Sequence, residues 1–371
     1  RRKPASPKRT GTITSSTRRR DTAERGLMFF ASDNGAPCPP PVMDALLRAN
    51  DGPAMGYGND PLSQRVAGMV RAVFEAPEAA VYLVATGTAA NSLALALLAP
   101  PWGAVFCHAG AHAQHDECGA PEFFTGGAKL IPVPGAHGRM TPEGLAAGID
   151  ALGHGAVHAV QRAAVTITNV TEAGTVYTPD AIAALAAVAK AKGMGVHLDG
   201  ARFANALAAT GATAAEMTWK AGVDIVTFGG TKDGLLGVEA VVIFDPARAW
   251  EFELRRKRAG HLFSKHRFLA AQVEGWLDGG LWLDLARHAN AMAARLAAGL
   301  GSVAGARLIH PVEANIIFAT FPRAAHDRAQ AAGAVYYPWS DTPGPAPEGA
   351  RLVCSWATTA ADVDALLGHL R

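Results

Sequence analysis

Three short stretches end an apolar run on residue types that can do chemistry. VYLVA stops at Thr86-Gly87-Thr88, MGVHL stops at Asp199, and DIVTFGG is followed within two residues by Lys232, among Gly229, Gly230 and Gly234. A short apolar run between helical patterns marks a buried strand of a parallel sheet, and open α/β sheets bind ligands at the carboxyl ends of their strands. Thr86-Gly87-Thr88 stands where a strand gives way to a helix, so free backbone N–H groups and two hydroxyls converge on a seat for an anion, a phosphate above all. Lys232 leaves a run that should be buried and enters a glycine-permissive turn. An amine there is partly desolvated, as a nucleophilic lysine must be near neutral pH. Singly, each has a plainer reading: Thr-Gly-Thr and Asp199 as helix caps, Lys232 as a surface lysine. Together they are far more specific.

The elements that must position these residues alternate along the chain. Apolar runs at 81–86, 104–108, 129–133, 164–170, 194–199, 224–230 and 239–244 are interleaved with helical patterns at 88–98 and 180–193, which predicts βαβ organisation around a mainly parallel sheet. Beyond about residue 246 the pattern turns helical, with a long amphipathic stretch from Phe268 to Leu300. Short strands follow near ARLIH, NIIFATF and RLVCSWAT. The expected division is a segment 27–50 packing with a small domain, a large domain 51–262 and a smaller α+β domain 263–371.

Composition bounds the rest. With 371 residues, 49% of them hydrophobic, the chain can bury a sizeable core. Its formal charge of +2 hides an asymmetry, because residues 1–26 hold 9 Lys/Arg against 2 Asp/Glu. The remainder carries 25 basic and 30 acidic residues, a net of −5, which argues against a nucleic-acid partner. The segment 1–26 has no apolar run and reads as a disordered basic tail; its Arg/Ser/Thr-rich, acid-poor character also fits a transit peptide. No stretch is long and apolar enough to span a membrane. Cys38, Cys107, Cys118 and Cys354 show no paired spacing and read as reduced thiols of a cytoplasmic protein.

A phosphate seat, an acid and a lysine in this chain order describe pyridoxal 5′-phosphate held in an aminotransferase-like (fold type I) domain. Lys232 is then the Schiff-base lysine, and Asp199 keeps the pyridine nitrogen protonated. Arg202, three residues on, is expected to line the same cavity near the phenolic oxygen or the phosphate. The motifs SDNGA (32–36), GYGND (56–60), TGTAAN (86–91), AHAQHDECGAPEFF (111–124), HLDGARFANAL (197–207), FGGTKDG (228–234), RRKRAGH (255–261) and RLVCSWATT (351–359) make the chain similar to the low-specificity L-threonine aldolases, on the branch that also cleaves phenylserine.

That resemblance implies formation of glycine and an aldehyde from L-threonine or other L-β-hydroxy-α-amino acids, in a homodimer or homotetramer. It assigns Ser32 and Arg351 to the substrate carboxylate, Arg351 through a bidentate fork. It places His112 over the pyridine face and near the β-hydroxyl, and Tyr57 near the cofactor, with Arg202 also in reach of the substrate. Thr231 beside the lysine joins the cofactor pocket, and Arg258 contacts the phosphate across a subunit interface. Two departures stand out. After Lys232 the chain reads Asp-Gly-Leu-Leu-Gly where more familiar members have a proline-containing turn. A second histidine that reads the β-hydroxyl in related enzymes has no clear counterpart, leaving His115, His154 and His158 as candidates. Rival readings are another lyase or a serine hydroxymethyltransferase-like activity on the same cofactor, a silent cofactor-binding regulator, and a metal-dependent hydrolase built on His108, His112, His115, Asp116 and Glu117.

Overall fold

A computed structural model describes residues 27–339 and 349–371; the basic tail 1–26 lies outside the described residues. The strands are β1 (Met28–Phe29), β2 (Ala80–Val84), β3 (Gly103–His108), β4 (Lys129–Val133), β5 (Gln161–Thr168), β6 (Gly195–Gly200), β7 (Ile225–Gly229), β8 (Glu239–Ile243), β9 (Arg307–Leu308), β10 (Ile316–Thr320), β11 (Ala334–Val335), β12 (Tyr337–Trp339) and β13 (Gly349–Val353). Seven of them form one sheet in the order β2-β8-β7-β6-β5-β3-β4. Strands β4, β3, β5, β6 and β7 run parallel, whereas β8 is antiparallel to both its neighbours. The reason is connection length: residues 230–238 make a tight turn, too short for the crossover that a parallel pair requires.

That turn has a consequence for the site. Glu239, the first residue of β8, lies across from Val84 on one side and from Gly229 on the other. The ends of β2 and β7, and the segments that follow them, are therefore set side by side at one edge of the sheet.

Burial on both faces explains the unbroken apolar runs: every residue of β7 and β8 is buried. One face packs on an aromatic cluster in which Phe74, Phe203, Phe228, Trp276 and Trp282 stack or meet edge to face. Each such ring contributes roughly 1.5–3 kcal/mol by leaving water, and cutting Phe228 back to Ala should cost about 3–5 kcal/mol. The other face takes the helix Gly87–Leu98, an Ala/Leu helix buried on nearly all sides.

The second unit is a four-stranded sheet, β12-β13-β10-β9. Its core joins Ile317, Ala319, Leu352 and Cys354 to Leu366 and Leu370 of the helix Ala360–Leu370. The start of the described chain belongs to this unit: β1 pairs with β11, and the Phe30 carbonyl accepts from Val353 N–H at 2.8 Å. The helix Pro40–Ala49 instead lays Val42 into the core of the large sheet. The stretch 268–300 is two helices, Arg267–Leu277 and Leu281–Leu300, broken at Asp278–Gly280. Trp282, Leu285 and Ala286 face the large core and Ala293, Leu296 and Leu300 the small one. By packing, the large unit thus extends past residue 262 into the helix Leu281–Leu300. Among the described residues no helix is long and apolar enough to cross a membrane.

Candidate active site

The ends of β2, β6 and β7 meet as their apolar runs predict. After β2, Thr86 caps the helix Gly87–Leu98, its Oγ1 accepting from Ala89 N–H at 3.2 Å. No atom lies within 4 Å of the place a Cβ would take on Gly87, so the first-turn N–H groups open onto space that an anion can fill.

Asp199 is 3% exposed near the end of β6. Its Oδ1 accepts from Ala201 N–H at 3.1 Å and its Oδ2 from Asn91 Nδ2 at 3.0 Å. Neither donor carries a charge, and no cation among the described residues forms an ion pair with this carboxylate. Lys232 sits in the turn Thr231–Asp233, which is fixed on both sides. Thr231 Oγ1 accepts from Val238 N–H at 3.3 Å, and Asp233 accepts from Trp276 Nε1 at 2.8 Å. Gly234 closes the turn at φ +101°, and a Cβ there would stand 2.9 Å from Pro39 and 3.0 Å from the Trp356 indole nitrogen. Lys232 itself makes no hydrogen bond or ion pair among the described residues, while its charge is felt by Asp33, His112 and Glu239.

His112 is half-buried, and its Nδ1 lies 2.9 Å from Glu117 Oε1. That bond is the main cause of a raised imidazole pKa; burial opposes it, Glu172 and Asp199 add to it, and Lys232 subtracts. Arg351 of β13 enters from the small unit. Among the described residues its one hydrogen bond is a long 3.4 Å contact to the Ala31 carbonyl, and it forms no ion pair. Burial, then the like charge of Arg202, lowers its pKa. Such a cation is poised to take up a carboxylate. Ser32 is nearby in sequence to Ala31 and caps the turn Asp33–Gly35, accepting from Asn34 N–H at 3.2 Å.

Other expectations fare differently. Arg202 is buried and engaged by Asp33 through two bonds, Nε to Oδ2 at 2.6 Å and Nη2 to Oδ1 at 2.9 Å. Its Nε and Nη2 are thereby engaged by a protein carboxylate. Tyr57 is 49% exposed at φ +61°, its N–H held by the Ser264 carbonyl at 2.9 Å and its ring under Lys257 at 5.0 Å. Arg258 projects exposed from the last turn of the helix Ala249–Arg258. Its expected phosphate contact is to a partner's site, which a single chain does not contain.

The chain has the family model "Beta-eliminating lyase" matched over residues 30–323. It is 41% identical over 342 residues to low-specificity L-threonine aldolases of a Pseudomonas strain and of Pseudomonas aeruginosa, covering 92% of this chain and 96% of each relative. The chain belongs to the β-eliminating lyase family, on its low-specificity L-threonine aldolase branch. A solved threonine aldolase of Leishmania major superposes with a TM-score of 0.86 at 28% identity, over 92% of this chain and 98% of that one. The serine palmitoyltransferase of Sphingomonas wittichii, at 19% identity and a TM-score of 0.66 over 92% of this chain and 86% of its own, shares the fold. The family is one of lyases, and the α/β architecture with a mostly parallel sheet is the expected fold type I.

Within this family site, the second-histidine candidates fall elsewhere. His154 and His158 are exposed ahead of β5, at the sheet edge opposite Asp199. His115 is exposed, with its Nε2 2.6 Å from the Ala109 carbonyl. His108 likewise bonds the Gly135 carbonyl at 3.0 Å, so the histidines of HAGAHAQHDE serve separate partners. No group of three or more His, Cys, Asp or Glu residues arranged to hold a metal ion occurs among the described residues.

Sequence reasoning missed four polar residues at this edge, Asp33, Asn315, Asn91 and Glu172, and weighed Glu117 only as a candidate metal ligand. Asp33 and Asn315 complete the Arg202 cluster, Asn315 Nδ2 reaching Asp33 Oδ2 at 3.0 Å. Asn91 joins Asp199 to Glu117. Glu172 stands in the turn after β5, which Gly174 N–H closes onto the Thr171 carbonyl at 2.9 Å, and its charge acts on His112, Arg202 and Arg351. Asp33, Asn91 and Glu117 stand inside the motifs SDNGA, TGTAAN and AHAQHDECGAPEFF, and a buried arginine implies an acid to match it.

Proposed function

We propose that the chain cleaves L-threonine, L-allo-threonine and other L-β-hydroxy-α-amino acids, phenylserine among them, to glycine and the matching aldehyde, with pyridoxal 5′-phosphate as cofactor. The observation that carries the reading is the meeting at one sheet edge of an open helix N-terminus, a buried carboxylate with only neutral donors, and a lysine with no hydrogen bond or ion pair among the described residues. The residues fit that cofactor: Thr86, Gly87 and Thr88 would hold its phosphate, Asp199 its ring nitrogen, His112 a ring face and Lys232 its aldehyde carbon. Bound there, the cofactor supplies a covalent handle for the substrate amine and an electron sink for Cα.

The remaining steps belong to the chain. Arg351, with Ser32 beside it, clamps the substrate carboxylate and so orients the Cα–Cβ bond. A base at the β-hydroxyl takes its proton as that bond breaks, and His112 is the imidazole in reach of that role. Arg202 keeps Asp33 and the turn Asp33–Gly35 in place behind the substrate pocket. Tyr57 and Arg258 act in the site of a neighbouring subunit, in a homodimer or homotetramer. In support, Met43, Leu47, Met55, Tyr57 and Leu236 are exposed apolar side chains on segments tied to one region, Leu236 N–H to Gln272 and Tyr57 N–H to Ser264. A cytoplasmic setting fits the four cysteines, all of them free.

The test is direct. Purified chain supplied with the cofactor should absorb in the visible and release glycine and acetaldehyde from L-threonine. A protein that binds the cofactor yet releases no glycine from any β-hydroxy-amino acid would overturn the aldolase reading.

A further inference from the structure

A chain of hydrogen bonds runs beneath the site from Thr166 to His112, and its direction can be worked out atom by atom. Asn91 is 3% exposed, and its Oδ1 can only accept, so Thr227 Oγ1, 3.0 Å away, donates to it. Thr227 Oγ1 must then accept from His197 Nε2 at 3.1 Å. His197 is fully buried, and burial drives its pKa down to about 4, so the ring is neutral and its Nδ1 accepts from Thr166 Oγ1 at 2.9 Å. With Oδ1 assigned, Asn91 Nδ2 donates both its hydrogens, one to Asp199 Oδ2 at 3.0 Å and one to Glu117 Oε1 at 2.9 Å. The opposite amide orientation would press a carbonyl oxygen against two carboxylates. The relay is therefore fixed from Thr166 through His197, Thr227 and Asn91, and both acids at its end accept.

Glu117 Oε1 also meets His112 Nδ1 at 2.9 Å. An accepting carboxylate there requires the hydrogen to be on Nδ1. The local backbone is bent to allow it: Cys118, the next residue, takes φ +52°, a left-handed conformation unusual for a side-chain-bearing residue. The bend turns Glu117 inward to 3% exposure while Asp116 and Cys118 stay outside. Among the described residues only His112 and the Asn91 amide bond this side chain, and its Oε2 is buried with no hydrogen-bond partner.

We propose that Glu117 is a positioning residue that holds His112 as its Nδ1–H tautomer, leaving Nε2 as the acceptor for the substrate's β-hydroxyl proton. This rests on the aldolase reading above. In the step concerned the β-oxygen loses its proton to Nε2, the oxygen's electron pair forms the aldehyde C=O, and the Cα–Cβ pair leaves toward Cα. His112 gains a positive charge, which Glu117 stabilises across the bond at Nδ1. The same Asn91 amide ties this acid to Asp199, so the group facing the β-hydroxyl and the group facing the ring are aligned by one side chain.

Glu117→Leu tests the assignment, because it removes the oxygen that accepts the Nδ1 hydrogen, whereas a Gln carbonyl could still accept from both Asn91 and Nδ1. In the holoenzyme it should lower kcat for L-threonine by about 10²–10⁴-fold with KM changed by less than about threefold. The acid limb of kcat should move to lower pH, with Glu172, Asp199 and Lys232 still facing His112 as in the wild type. Because Glu117 acts through His112, adding Glu117→Leu to His112→Asn should cost less than about threefold more. Nitrogen-15 histidine spectra of the holoenzyme, with His112 assigned by its loss in His112→Asn, should show the hydrogen on Nδ1 in the wild type and no longer held there in Glu117→Leu, while visible cofactor absorption is retained. Wild-type kcat in Glu117→Leu, additive losses in the double variant, or an Nε2–H tautomer in the wild type would each overturn the proposal. The tautomer measurement on the wild type stands even if Glu117→Leu fails to fold. Should the wild type release no glycine, the aldolase reading fails, and the tautomer still decides the Glu117 assignment.

Discussion

Two arginines meet at the seam between the large and small sheets, and they are treated in opposite ways. Arg202, from the loop after β6, is 3% exposed and locked to a 1% exposed Asp33. Arg351, from β13, has burial and a like charge against it, which the more distant charges of Glu172 and Asp33 only partly offset, and no acid forms an ion pair with it among the described residues. A protein interior tolerates a buried cation when it is paired and hydrogen-bonded. Arg202 satisfies that condition within the chain and so belongs to the architecture. Arg351 does not, and the partner it lacks is what a substrate carboxylate would supply. The same contrast separates Asp33, with its charged partner, from Lys232, without one. Charges satisfied by the fold hold the site together, and charges left unsatisfied are the ones to which the proposed function gives its chemistry.

The largest expected effect is at the unpaired lysine. Lys232→Ala should abolish turnover and the visible absorption of a covalently held cofactor, with unfolding little changed because Lys232 makes no bond to the fold. Retained absorption in that variant, read in a spectrophotometer, would break the assignment of Lys232 to the unpaired class. Next comes Asp33→Asn, which leaves Arg202 buried without a counter-charge and should cost about 3–5 kcal/mol in urea unfolding. Burial by itself pushes the Asp33 carboxyl up, but Arg202, followed by Lys232 and Asn315, holds it below its ordinary 3.8. Since the folded value lies below the unfolded one, the stabilisation is fully present above about pH 4 and fades as pH falls through the depressed folded pKa. Asp33→Asn should lose that acid-dependent part of the unfolding curve.

Arg351→Leu should show the inverse pattern. Removing one member of a charge pair that forms with substrate costs about 2–5 kcal/mol, so kcat/KM should fall roughly thirty-fold to several thousand-fold. Stability should hold or rise slightly, since an unpaired, partly buried cation is replaced by an apolar group of similar bulk. Steady-state kinetics beside a thermal melt would decide; a destabilised Arg351→Leu with normal kinetics would reverse the two arginines' roles.

The unpaired side of this contrast is largely legible in the amino-acid sequence. The anion seat, Asp199 and Lys232 can be read because each ends an apolar run, and strand ends at one sheet edge converge whatever the loops do. The parallel order of β4, β3, β5, β6 and β7 follows from the intervening crossovers. Pairing is harder to read. Asp33 and Arg202 are far apart in sequence, and nothing local says that Arg202 turns toward residue 33 instead of toward a ligand. Asn91 reads as one more helix residue, because its value lies in bridging Glu117 and Asp199 across three elements. Glu172 is hidden in a loop whose closure by Thr171 and Thr175 carries no periodicity. Motif residues at strand ends announce themselves, whereas their tertiary partners need the fold.

The smallest expected effect concerns the β-carbon and asks whether one satisfied residue can also discriminate. Arg351 and the electron sink at Cα act on groups that every L-amino acid shares, so they fix the configuration at Cα and say nothing about Cβ. Discrimination between threo and erythro substrates must come from side chains facing the hydroxyl. His112 is one, and a single hydrogen bond to a freely turning hydroxyl contributes about 0.5–1.5 kcal/mol, or roughly two- to twelve-fold. The wild type should therefore cleave both L-threonine and L-allo-threonine, within about that ratio, and neither D-isomer. His112→Asn should keep the cofactor, slow cleavage and change the ratio. Glu172, whose charge reaches His112, Arg202 and Arg351 while it makes no hydrogen bond among the described residues, is the competing reader. Measuring all four threonine stereoisomers with the wild type, His112→Asn and Glu172→Gln separates the two: a ratio that moves only in Glu172→Gln would transfer hydroxyl recognition from the imidazole to the carboxylate, and a wild type confined to one L-diastereomer would require more than one hydrogen bond at Cβ.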